Sequence, residues 1–271
     1  MNADSKQQWQ WQKTSEGHYL TCTLLADWHH GFFTNHFPQQ LPENLVANLH
    51  PSASVYRLKQ IHSDIVLTTA NIDRQLSENS NIERLEGDGI VTTQPNQSVW
   101  SASADCTPIL IADRHTGQVS AGHSGWRGTA SKVSIQALEN FISQGSQPEN
   151  LLFALGPAIA GKVYQVAQEV AVKVVSTIVA DCEKLTPAEI ITQANQLDSS
   201  LVLPDTEAGK VKLDVTKTIY WQLQQAGIKP EQITIAPYCT YQTPDYFYSY
   251  RRSSLRKNQW SGIISRAKFE S

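Results

Sequence analysis

The stretch "TPILIADRHTGQVSAGHSGWRGTASKVSIQALENF", residues 107–141, changes its pattern twice. "TPILIAD" (107–113) and "GQVSAGH" (117–123) are short β-rich runs separated by the turn "DRHTG". Past Gly128 the period lengthens: Val133, Ala137 and Phe141 recur every four residues, which places them on one helical face. Between these patterns His123, Trp126 and Arg127 sit among three glycines. Glycine weakens regular structure, so the crowding points to backbone that must turn or be approached closely.

Outward from this stretch, strands and helices alternate. "SVWSASA" (98–104) is another β run, cut from the next by Asp105-Cys106. Upstream, "HYLTCTLLA" (18–26) reads as a strand and "HHGFFTNHF" (29–37) as a turn-rich passage. "VYRLKQIHSDIVLTT" (55–69) reads as strand broken near His62 and Ser63, and "EGDGIVTT" (86–93) as a turn into a short strand. Downstream, "LLFALG" (151–156) is a buried-strand candidate. Val170, Val174 and Ile178 mark a second helix, and Val215, Ile219 and Leu223 a third that ends at Gly227. The weakly periodic segment 181–210 reads as a peripheral insertion. The whole chain, 1–271, reads as one α/β domain with a mixed sheet.

Composition narrows the function. The 271 residues are 40% hydrophobic and 17% charged, as in an ordinary globular protein. A net charge of -3 gives no global attraction to nucleic acid. No run of eighteen apolar residues predicts a membrane span, and the polar opening "MNADSKQQWQWQKTSEG" does not resemble a signal peptide, so a cytoplasmic home is expected. Cys22, Cys106, Cys182 and Cys239 form no CxxC pair, which argues against a disulfide scaffold.

Three polar segments end or interrupt apolar strands: "KQIHSD", "SADCTP" and "AGHSGWRG". They contribute His62, Cys106 and His123. Two imidazoles and a thiolate are a sensible ligand set for Zn²⁺, and three protein ligands leave a fourth position for water. Singly, each residue also has an ordinary reading: a hydrogen-bonded histidine at a strand end, a core cysteine beside "PILIA", a histidine capping a strand.

The segments "QIHSDIV", "GDGIVT", "SADCTPILIAD", "AGHSGWRGTA", "LGPAI" and "CTYQTPDYFYSYRR", in this order, resemble the YfiH-like laccase-domain family from about Gly31 onward. Its members are described as purine nucleoside phosphorylases and were formerly known as multicopper polyphenol oxidases. The resemblance implies a single-domain three-layer α/β/α sandwich with a mixed β-sheet. It also implies a catalytic zinc on His62, Cys106 and His123, with copper as the other candidate metal. The implied reactions are phosphorolysis of adenosine, inosine and methylthioadenosine, with adenosine deamination beside it, a transferase and a hydrolase activity. Purine nucleosides and phosphate would be the partners. Arg127 and Arg251 are then candidates for phosphate, because guanidinium forks match its oxygens. Trp126, Arg252 and Asn35 are candidate substrate-binding positions, and Tyr248 and Tyr250 could flank a flat base.

The chain departs from the family pattern in three places, one being the family's Leu-Asn-Leu-Gly stretch, which has no clear counterpart before "VYRLKQIHS". Asn35 stands where the family carries an arginine, and the glycines that usually follow are gone. Near the C-terminus "SYRRSSLRKNQWSGII" lacks the usual Thr-Gly-Arg, with Asn258-Gln259 close to that place. Arg127 could instead pair with Asp105 or Asp88 and brace the ligand loops. Three other functions fit the same residues. One is a cysteine hydrolase or amidase, as in peptidoglycan-precursor editing, with Cys106 as nucleophile and His123 as base. Another is a copper-dependent polyphenol oxidase. The last is a non-enzyme that keeps zinc for stability.

Overall fold

The stretch 107–124 folds as its alternation demands. Thr107–Asp113 and Val119–Ser124 pair antiparallel, with Thr107 opposite Ser124 and Ala112 opposite Val119. Gly117 turns the chain between them at a φ of 77°, which glycine adopts without a Cβ clash. The Asp113 carboxylate accepts from the amides of His115 and Thr116 and locks that turn. The four-residue period then becomes the helix Val133–Ser143, burying Val133, Ala137, Leu138 and Phe141.

The computed structural model describes residues 8–79, 81 and 83–268. Its strands sort into two six-stranded sheets and one three-stranded sheet. The first sheet contains β1 (Trp9–Lys13), β2 (His18–Cys22), β3 (His30–Phe33), β4 (Ser54–Arg57), β7 (Gln97–Ser103) and β15 (Gln259–Ile264), in the order β1-β2-β3-β15-β7-β4. The second contains β5 (Val66–Thr68), β6 (Gly89–Val91), β8 (Thr107–Asp113), β9 (Val119–Ser124), β10 (Leu151–Leu155) and β14 (Ile233–Ile235), in the order β14-β10-β8-β9-β6-β5. Both are mixed: β4 runs parallel to β7, β5 to β6 and β10 to β14, while the remaining neighbours are antiparallel.

The two sheets stack face to face. Leu110, Ala112, Val119, Ala121, Leu152 and Ala154 of the second meet Leu20, Phe32, Val99 and Ile263 of the first in one buried cluster. Along β8 the alternate residues Ile109 and Ile111 point the other way, to the helices. There they join Phe153 and Leu155, Phe141 of the helix Val133–Ser143, Val174 of Gln168–Val175, and Ile219 and Leu223 of Val215–Gln225. The outer face of the first sheet packs Phe33, Trp100 and Trp260 under Leu45 and Val46 of the short helical stretch 42–48. The α/β sandwich is therefore as expected, with its central β layer built from two stacked sheets. β8 and β9 are buried on both faces, and truncating one buried isoleucine or leucine of β8 typically costs about 2–5 kcal/mol.

Two segments differ from their sequence reading. "HHGFFTNHF" contains the strand β3, all four residues of which are buried. A strand covered on both faces shows no polar alternation, and this hides it. Within 181–210, Pro187–Leu197 is a helix with a capping box between Thr186 and Glu189, and Ile190, Ala194, Leu201 and Val202 join the helix-side core. The three-stranded sheet follows from β11 (Gln165–Ala167), β12 (Val202–Pro204) and β13 (Lys210–Leu213). No helix among the described residues is long and apolar enough to cross a membrane. Residues 1–7, part of the opening read as lacking a leader, lie outside the described residues.

Candidate metal centre

His62, Cys106 and His123 come from three separate segments, two connections and a strand, yet their ligand atoms all lie within 4.8 Å of one another. His123 is the penultimate residue of β9, buried and opposite Pro108 in the β8 register. Cys106 lies in the turn between β7 and β8, and His62 in the loop between β4 and β5. The two imidazole rings stand nearly perpendicular, 4.8 Å between centroids. Gly125 explains part of the glycine crowding. A Cβ there would lie 2.6 Å from Cys106 Sγ and 3.5 Å from His62 Cδ2, so a side chain would displace the thiol.

Asp88 assembles the centre. The β6–β9 register sets Gly89 opposite Gly122, which brings Asp88 beside His123. The Asp88 carboxylate accepts from His123 Nδ1 at 2.9 Å. It also accepts from the amides of Ile61, His62 and Ser63 and from Ser63 Oγ. Successive amides cradling an anion form a nest. That nest holds His62 at a φ of 62°, in the left-handed region a non-glycine residue rarely occupies. One carboxylate thus orients one candidate ligand through its ring and another through its backbone.

The charges follow from this geometry. Burial would push the Asp88 carboxyl up, but His123 and the Ser63 donors bring it down to about 2. Burial would likewise lower His123, yet Cys106 and Asp88 raise it to about 9. Burial opposes the Cys106 thiolate too. The His123 imidazolium, with help from His62, overcomes it and draws the thiol down to about 6. In protein stripped with a chelator, alkylation of Cys106 by iodoacetamide should therefore rise as the pH climbs through about 6 instead of through the ordinary 9.0. Mass spectrometry of the modified peptides checks this. Cys22, pushed up to about 12 by burial, serves as the unreactive reference. A Cys106 midpoint above about 8 would contradict the ion pair.

The other candidate residues are placed as follows. Trp126 packs against the helix-side core, and its ring carries the exposed Arg127 guanidinium at 4.4 Å. Neither Asp88 nor Asp105 pairs with Arg127; among the described residues Arg127 has no salt bridge. Arg251 lies over the Tyr164 ring at 4.8 Å and donates to the Gln165 carbonyl. Arg252 donates to the carbonyls of Thr240, Tyr241 and Phe247. Asn35 donates from its side chain to the Pro244 carbonyl, so both residues hold the 240–247 loop. Tyr250 is 55% exposed, and the Tyr248 amide donates to Gln259 Oε1. The structure therefore gathers the three metal-ligand candidates but gives Asn35 and Arg252 backbone partners in a neighbouring loop. Asp88 is the participant whose place in the centre sequence reading missed, and its signal was the carboxylate between two glycines in "EGDGIV".

A family model described as multi-copper polyphenol oxidoreductase laccase matches residues 39–266. The chain belongs to this laccase family. A protein named purine nucleoside phosphorylase from Synechocystis is 43% identical to this laccase-family chain over 258 residues, covering 95% of it and 97% of the relative. Another of that name, from Bacteroides thetaiotaomicron, is 27% identical and covers 83% of this chain and 74% of its own. Among solved structures, YfiH of Bacillus licheniformis superposes with a TM-score of 0.76 at 20% identity, covering 94% of this chain and 99% of that one. YlmD of Geobacillus stearothermophilus gives 0.75 at 22%, covering 94% and 98%. The YfiH-like resemblance read from the motifs therefore holds, and the fold is shared over 94% of the chain.

Proposed function

We propose that His62, Cys106 and His123 hold one zinc ion and that the site catalyses phosphorolysis of purine nucleosides. Adenosine, inosine and methylthioadenosine are the substrates, and deamination of adenosine is a side activity. The observation that carries this reading is the 43% identity, over nearly the full length, to a relative named purine nucleoside phosphorylase. The converging donors support it. Two imidazoles and a thiolate suit zinc and leave a coordination position open. A multicopper oxidase would need further copper clusters. Among the described residues this is the one group of three or more histidine, cysteine or acidic side chains placed to share an ion.

Bound zinc would supply Lewis-acid polarisation of a substrate atom in its open position. The remaining work falls to the chain. Asp88 holds His123 by Nδ1, which leaves Nε2 as the ligand atom. Phosphorolysis breaks the bond between the ribose C1′ and the purine nitrogen and joins a phosphate oxygen to C1′, and the departing base takes up a proton. Arg127 and Arg251 are the forks for that phosphate, each resting on an aromatic ring, Trp126 and Tyr164. Asn35 and Arg252 act on the substrate through the 240–247 loop they hold. Cytosolic nucleosides and phosphate complete the reading.

Arg127→Lys keeps the charge but loses the planar fork. It is expected to reduce ribose 1-phosphate formation from adenosine by roughly tenfold, the scale of a lost charge-assisted hydrogen bond, and inosine formation much less. Equal loss of both products would make Arg127 a brace of the ligand loop. Zinc-loaded wild type that forms neither product would overturn the reading. One observation favours a second reading, a cysteine hydrolase or amidase: Cys106, His123 and Asp88 follow one another as nucleophile, base and orienting carboxylate.

A further inference from the structure

Asp105, one residue before Cys106, occupies an unusual position. Its φ is 89°, again left-handed for a residue with a side chain, and it is buried. Its carbonyl accepts from the Ile159 amide at 2.9 Å. Its carboxylate is shared: Oδ1 accepts from Thr240 Oγ1 at 2.7 Å and Oδ2 from the Arg251 amide at 2.7 Å. Arg252 Nη1 in turn donates to the Thr240 carbonyl at 2.6 Å, which closes a circuit of Asp105, Thr240, Arg252 and Arg251. The backbone at residue 105 therefore sends Cys106 toward the two histidines and the Asp105 carboxylate toward the arginine segment.

We infer that Asp105 is a positioning residue that fastens the Arg251-bearing segment to the Cys106 turn and thereby sets the affinity for phosphate. The inference rests on the phosphorylase reading for the identity of the anion. Each carboxylate oxygen meets a different donor, and both bonds are charge-assisted. An asparagine can accept from one donor, but its NH₂ group then faces the other. Because Asp105 directly precedes Cys106, its bond from the Arg251 amide places the arginine segment beside the turn that carries the thiol. Loosening the circuit would let Arg251 move while leaving the three ligand atoms where they are.

The test uses the zinc-loaded full chain and the variants Asp105→Asn, Thr240→Val and Thr240→Ser. Three quantities are measured: zinc per chain, KM for phosphate and kcat with inosine, and calorimetric binding of inorganic phosphate. Asp105→Asn and Thr240→Val are expected to raise the phosphate KM and Kd by roughly tenfold, the scale of one lost hydrogen bond to a charged group. Their kcat at saturating phosphate should fall less, and zinc should stay at wild-type stoichiometry. Thr240→Ser keeps the hydroxyl and should restore wild-type phosphate binding, which keeps the idea testable if Asp105→Asn does not fold. Wild type that binds phosphate without turning over inosine, with the variants weakened in the same order, would support the positioning role and defeat the phosphorylase reading. Unchanged phosphate KM and Kd in a turning-over Thr240→Val would overturn the positioning role alone. Loss of zinc from Thr240→Val would also overturn it, because the circuit would then serve the metal. Wild type that neither binds nor uses phosphate would overturn both.

Discussion

Replacing Cys106 by alanine is expected to abolish zinc binding and nucleoside turnover together. On the zinc reading proposed above, the thiolate is one of the three converging donors among the described residues, and two imidazoles alone make a poor site for an ion that prefers four ligands. The two histidines remain in place because their supports do not run through Cys106: His123 is held by Asp88, and His62 by the amide nest around the same carboxylate. Metal analysis of the purified variant, beside assays of ribose 1-phosphate formation, reads both effects at once. Retention of one zinc per chain with turnover lost would make Cys106 a nucleophile and favour the hydrolase reading. Retention of both would remove Cys106 from the site.

Asp88→Asn is expected to produce the second large effect. The carboxylate takes five donors from two segments, and an amide cannot satisfy them all, since its NH₂ would face other N–H groups. Zinc affinity should fall by roughly 10–100-fold, as for other residues that orient metal-ligating histidines. Stability should fall as well, because the left-handed conformation of His62 loses its anchor. The sign of the pH dependence follows from the depressed carboxyl of Asp88. Its contribution is fully present above the ordinary 3.8 and is lost as the pH falls through about 2. Zinc competition titrations and thermal melts of variant and wild type measure the two effects. Unchanged affinity would show that His123 needs no carboxylate partner to bind metal.

Much of the fold was legible because local pattern and global role agree in its centre. β8 and β9 alternate between the two faces they serve, and Val133, Ala137 and Phe141 keep a helical period against one of those faces. The three donors were visible as residue types at strand ends. Their convergence was not, because it depends on sheet register. Asp88 and His123 are neighbours only through the pairing of Gly89 with Gly122, and no spacing along the chain encodes that. The stacking of two sheets was hidden for a related reason. A strand such as β3, buried on both faces, carries no polar alternation to mark an outer side. The helix Pro187–Leu197 did have a readable start, Thr186-Pro187 followed by Glu189, but its weak periodicity obscured it. The partners of Arg252 are backbone carbonyls, and such partners leave no trace in a sequence pattern.

The most direct measurement is a zinc titration of chelator-stripped protein, following ribose 1-phosphate released from inosine in the presence of phosphate. Activity should rise in proportion to added zinc and level off at one ion per chain, and the Cys106→Ala variant should stay at the baseline throughout. Full turnover by the stripped wild type, or activity that appears only with several copper ions per chain, would contradict the account.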